Sequence, residues 1–146
     1  MIWLKKLITA ALILSFTGLN CGTPPEYVPP PKKITEKEKI LRAFIAVESS
    51  GDRFAYNKIE KAAGILQIRP IRLDEINRLF GTSYKLEDRF DSIKSVEMFL
   101  KFQLHYDPDL NLEEVSKNWQ GNPNWKSTKY TAKYYAKIKQ AYACIE

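Results

Sequence analysis

Residues 34–52 read ITEKEKILRAFIAVESSGD, and this stretch decides the fold. Thr35 stands three residues before Glu38, the spacing of a capping box in which the hydroxyl and the carboxylate satisfy each other's orphan backbone N–H groups. Ile40, Leu41, Phe44, Ile45 and Val47 follow at helical spacing, and Gly51 supplies a stop. The apolar stripe passes through Leu41, Phe44 and Ile45 and then reaches Glu48, which stands at i+7 on that stripe. A carboxylate there meets the negative end of the helix dipole and an apolar surround. Both raise its pKa and favour the protonated acid. The plain alternative is a half-exposed glutamate at a fraying helix end.

The same reading extends along the chain. Pro70 suits the first turn of a helix carrying Leu73, Ile76, Leu79 and Phe80, ending at Gly81. Asp91 or Ser92 caps a third, with Ile93, Val96, Phe99, Leu100 and Leu104 on its buried side. Asn111 opens a short helix with Glu114 at the box position and Leu112, Val115 and Trp119 inward. Ser127 or Thr128 opens the last, which holds Tyr130, Tyr134, Tyr135, Ile138 and Tyr142. No segment alternates with period two over a sustained length, and only residues 55–68 are irregular, with room for a short hairpin. The expectation is a small, mainly α domain.

Upstream of it, MIWLKKLITAALILSFTGLN has Lys5 and Lys6 ahead of an uncharged apolar run from Leu7 to Phe16. That run is too short to span a bilayer, which takes about 20 apolar residues, and it fits an export signal. Gly18-Leu19-Asn20-Cys21 resembles a lipobox, although its leucine stands one place too close to the cysteine and Asn20 is uncommon there. Lipidation of Cys21 would tie the chain to a membrane on the periplasmic side of a bacterial envelope. The alternative is a free cysteine or a disulfide with Cys144. Gly22 to Lys33 reads GTPPEYVPPPKK, with five of the eight prolines, and reads as an extended tether. The organisation expected is therefore a signal over 1–20, a tether over 21–33 and a domain over 34–146.

Composition narrows the chemistry. In 146 residues there are 23 Lys plus Arg against 17 Asp plus Glu, for a formal charge of +6, which points to an anionic partner. One histidine, His105, excludes a multi-histidine metal site, and two distant cysteines exclude zinc-ribbon and CxxC chemistry. Export and the lack of an arginine-rich patch argue against nucleic acid. Lys126, Lys129, Lys133 and Lys137 form one helical stripe, either a solvated face or a surface for an anionic polymer.

Three motifs in order add a family likeness: Glu48-Ser49, Gly64-Ile65-Leu66-Gln67 and Trp119-Gln120-Gly121. Together with the helical layout they resemble the lytic transglycosylase and goose-type lysozyme superfamily over residues 34–143. That family shows a Glu-Ser pair at a helix end, a Gly-Leu-Met-Gln motif beneath the cleft, and an aromatic-Asn-Gly motif along the saccharide groove. Leu66 replaces the usual Met, Gln120 the usual Asn, and Trp119 the commoner Tyr while keeping a stacking face. Tyr130 is the counterpart of the family's tyrosine on the final helix.

The resemblance implies a lysozyme-like fold and cleavage of the β-1,4 bond between N-acetylmuramic acid and N-acetylglucosamine in peptidoglycan, with no metal and no cofactor. Glu48 would act as acid and then as base, leaving a 1,6-anhydro product. Gly64 would let the backbone approach the sugar, and the Gln67 amide would bond its acetamido or hydroxyl groups. Ser49 would orient the acetamido group or Glu48, or simply cap the helix. Trp119, Gln120, Gly121 and Tyr130 would line the groove. A hydrolytic lysozyme would need a second carboxylate, for which Asp52, Glu60, Asp88 and Asp91 are candidates; the lyase is favoured. An inactive wall-binding module, or one serving a secretion or conjugation apparatus, is the reading from another class.

Overall fold

The computed structural model of the chain describes residues 33–121 and 129–145. The expected export signal, Cys21, the expected tether up to Lys32, Lys126 and the expected cap at Ser127 or Thr128 lie outside the described residues. Described elements run α1 (Glu36–Ser49), a two-stranded antiparallel hairpin of β1 (Tyr56–Asn57) and β2 (Ala62–Ala63), and α2 (Pro70–Phe80). A 3-10 turn over Leu86–Phe90 leads to α3 (Ser92–Tyr106), α4 (Leu112–Gln120) and α5 (Lys129–Ala143). The domain is mainly α, and its hairpin falls in the irregular segment read from the sequence.

Capping chemistry sets most boundaries. Thr35 Oγ1 accepts from the Glu38 N–H at 3.2 Å and starts α1. The reciprocal half of the box does not form, because the Glu38 carboxylate pairs with Arg42 at 2.8 Å. α1 ends at Ser49, and its left-handed cap falls on Ser50, with φ 55°, one residue before Gly51. Pro70 occupies the first turn of α2 and Gly81 closes it. Asp91 accepts from the N–H groups of Ile93 and Lys94, and Asn111 from those of Glu113 and Glu114.

A ring cluster of Phe44, Phe99, Phe102 and Trp119 forms the centre of the core. Ile40, Leu66, Ile68, Ile76, Met98, Val115 and Ile138 surround it. Helix α5 packs on α1 and α4, and α3 lies against α2 and α4. The buried face of α3 differs from the apolar stripe in its sequence. Ser95, Met98, Phe99, Phe102 and Gln103 are buried, whereas Ile93 is 81% exposed and Leu104 also faces out. Two polar residues turn inward because the core supplies acceptors: Ser95 Oγ donates to the Arg89 carbonyl at 2.6 Å, and Gln103 Nε2 to that of Val115 at 3.3 Å.

Candidate active site

Glu48 sits in the last turn of α1, partly buried, at the edge of the ring cluster. Burial pushes its carboxyl up from 4.5 to about 7. A hydrogen bond from Tyr134, the positive charge of Arg69 and a weaker one from Trp119 pull the other way, while the charge of Glu60 adds to the rise. Desolvation wins. The Tyr134 hydroxyl donates to Glu48 Oε1, tying α5 to the end of α1. Burial, and then the Glu48 carboxylate, raise the Tyr134 phenol well above its ordinary range, so it serves as a donor and not as an anion.

Glu48 opens into a cleft lined also by Asn57, Glu60, Ala62, Gln67, Arg69, Arg72, Trp119 and Gln120. The three motifs of the sequence thus converge on one place, but several residues act differently from the expectation. Ser49 is a stitch between segments: its hydroxyl donates to the Ile65 carbonyl at 2.8 Å and accepts from the Gly51 N–H at 3.2 Å. Gly64 is buried behind the cleft wall with φ +79°, and a Cβ there would lie 1.7 Å from the Arg89 carbonyl oxygen. Glycine is required at 64 for close packing against the 3-10 turn, and the residue lies behind those that line the cleft.

Gln67 does line the cleft, from a left-handed backbone at φ 47°. Its Nε2 donates to the carbonyls of Ala55 at 3.0 Å and Gly64 at 2.9 Å. Both amide hydrogens are thereby used within the loop, and the carbonyl Oε1 is the group left to accept from a ligand. A strained backbone held by its own side chain is a common feature of binding sites.

Trp119 is 5% exposed, with Phe99 and Phe102 edge-on to it and Arg72 over its ring. Only a small part of its ring borders the cleft, as part of the floor. Gln120 is exposed on the cleft rim, and Gly121 contributes a carbonyl that accepts from Arg72 at 2.7 Å. Tyr130 is 81% exposed; the tyrosine that reaches the acid is Tyr134, one turn further along α5. Lys129, Lys133 and Lys137 are exposed on the same helix.

Of the four carboxylates weighed as partners for Glu48, only Glu60 lines the cleft. Asn57 Oδ1 accepts from the N–H groups of Ile59 and Glu60 and so shapes the hairpin tip that presents it. Asp52 closes a turn on Phe54, Asp88 pairs with Lys94, and Asp91 caps α3.

Two cleft arginines were not singled out by the sequence. Arg72 is 5% exposed and lies 3.8 Å from the Phe102 ring centroid. It donates to the carbonyls of Asn118, Trp119 and Gly121 and pairs with Glu75 at 2.9 Å. Burial lowers its pKa to about 10, which leaves it charged at neutral pH. Arg69 precedes α2 and donates to the Gln120 carbonyl at 3.2 Å. Among the described residues there is no group of three or more His, Cys, Asp or Glu placed to hold a metal ion.

No family model, no curated protein and no solved structure matches this chain. The family likeness accordingly rests on the three motifs and on what the cleft can do chemically.

Proposed function

We propose that this protein cleaves glycosidic bonds in peptidoglycan as a lytic transglycosylase, with Glu48 as its acid and base. One observation carries the reading: a carboxyl held near pKa 7 in a cleft, with a fixed hydroxyl donor on one oxygen. General acid catalysis at neutral pH requires such a group. The five described helices, with a short hairpin beside the acid, suit a lysozyme-like domain.

In the proposed reaction Glu48 gives its proton to the glycosidic oxygen as the bond to C1 breaks. The acetamido carbonyl of the substrate bonds to C1 and holds the positive charge. Glu48, now a carboxylate stabilised by Tyr134, takes the proton of the C6 hydroxyl. O6 then displaces the acetamido oxygen from C1 and closes the 1,6-anhydro ring. The acid is restored and no water is consumed. Gln67 Oε1 and the Asn57 amide are placed to bond the substrate's N–H and hydroxyl groups.

A hydrolytic reading draws support from Glu60, which faces the same cleft and is close enough to raise Glu48. A carboxylate there can hold the water that a lysozyme uses. Mass spectrometry of peptidoglycan digested with the protein separates the readings: 1,6-anhydro ends mark the lyase and reducing ends the lysozyme. An absence of soluble products marks a wall-binding module instead. Glu48→Gln abolishes turnover if the assignment is right. Export and lipid anchoring at Cys21 belong to the same proposal; Cys21→Ala then moves the protein from the membrane to the soluble fraction of the envelope.

A further inference from the structure

Arg69 makes no close ion pair among the described residues. It lines the cleft beside Glu48, half-buried, at the extended residue that precedes Pro70 and α2. Its one described hydrogen bond goes to a backbone carbonyl, that of Gln120, at 3.2 Å. No carboxylate lies within 4.0 Å of it among the described residues, although Glu60 lines the same cleft. Arg72, the neighbouring guanidinium, is committed to three carbonyls and Glu75. A guanidinium has five N–H donors in a planar fork, so Arg69 retains donors for a ligand.

We propose that Arg69 is a specificity residue that binds a carboxylate of the substrate and so selects anionic over neutral glycan strands. The inference rests on the function proposed above and names the feature of the strand that the cleft reads. Arg69 and Glu48 line the same cleft, so a ring held with its glycosidic oxygen at Glu48 would lie beside Arg69. Two carboxylates in peptidoglycan have the required chemistry: the lactyl carboxylate of peptide-free muramic acid, and those of the stem peptide. Charge-assisted bonds from a planar fork suit either. The arrangement also couples binding to catalysis. Arg69 favours ionisation of Glu48. A bound carboxylate offsets that positive charge and keeps the acid protonated when substrate is present.

The test uses the Glu48→Gln protein, which removes both turnover and the titration of the acid. Three probes are titrated by calorimetry: peptide-free strands, the same strands with their carboxylates converted to methylamides, and peptide-bearing strands. The parent is expected to bind peptide-free strands about tenfold or more tightly than the methylamides. Adding Arg69→Gln levels the two, and Arg69→Lys keeps part of the preference. If only peptide-bearing strands show an Arg69-dependent gain, the stem peptide supplies the carboxylate. A purely structural role in holding Gln120 would weaken all three probes equally and leave their ratios unchanged, which overturns the inference. Should that happen while wild type still digests peptidoglycan, the proposed function stands without it. If the wild type releases nothing and the Glu48→Gln protein binds no probe, both fall together.

Discussion

Replacing the candidate acid should make the protein more stable, and by an amount that depends on pH. The folded state holds Glu48 at about 7 against an ordinary 4.5, chiefly through burial. For an acid raised in this way the folded state binds its proton more tightly than the unfolded chain does. Below pH 4.5 the group is protonated in both states and costs nothing. As pH rises through 4.5 towards 7 the unfolded chain ionises first, and stability falls until the folded carboxyl also ionises. The gap of roughly two and a half decades, at about 1.4 kcal/mol per decade, amounts to about 3 kcal/mol at pH 7 and above. Glu48→Gln keeps the shape and an acceptor for Tyr134 but carries no proton to lose. Urea unfolding of both proteins from pH 4 to pH 8 is expected to show curves close together at the acid end and separating by about 3 kcal/mol at the neutral end. For a domain of this size that is a rise of roughly 10 °C in Tm. Parallel curves across the range would refute the claim that desolvation dominates at Glu48.

Tyr134→Phe and Glu60→Gln should move the alkaline limb of the kcat/KM profile in opposite directions. The first removes a hydrogen bond that lowers the acid and shifts the limb up; the second removes a charge that raises it and shifts the limb down. Gly64→Ala puts a methyl 1.7 Å from a backbone oxygen and should cost at least about 3 kcal/mol or prevent folding. Gly51→Ala, with φ +86° and open space around it, should cost only about 1 kcal/mol in the same denaturation assay. Arg72→Ala strips three carbonyls and Glu75 of their partner and should destabilise by about 3 kcal/mol, read by the same unfolding curves.

The elements were legible where local chemistry decides them. Thr35, Pro70, Gly81, Asp91 and Asn111 act on backbone groups within a few residues, and each stands at the helix end its type predicts. Glu48 stood out as a charge on an apolar stripe, but the motifs, not its position alone, set the candidate acid ahead of a half-exposed helix-end glutamate. The misplacements come from partners distant in sequence. Ile93 belongs to the apolar pattern of α3, yet Ser95 turns inward because Arg89, in the preceding turn, offers it a carbonyl. Tyr130 and Tyr134 lie four residues apart on one helix, and only the packing of α5 on α1 decides which of them meets the acid. Trp119 has the side chain of a sugar platform, but it packs into the ring cluster with Phe99 and Phe102 and is 5% exposed. Arg69, Arg72 and Arg89 look like surface charges in the sequence. Their carbonyl partners lie as many as 51 residues away, at spacings no periodicity reveals.

The two buried arginines have a consequence for how such a domain can diversify. Arg89 donates to the carbonyls of Lys61 and Ile68 and thereby grips the segment that returns from the hairpin. Arg72 grips residues 118–121 in the same manner. Each wall of the cleft is thus held by a guanidinium, and the hairpin itself has only two residue pairs of register. Residues 58–60 at its tip are exposed and lie outside these contacts. Extra residues inserted there can lengthen the groove, or add a new rim to it, while 61–68 and the acid stay where they are. Loop grafting at 58–60 is therefore expected to change the reach of the cleft without moving Glu48.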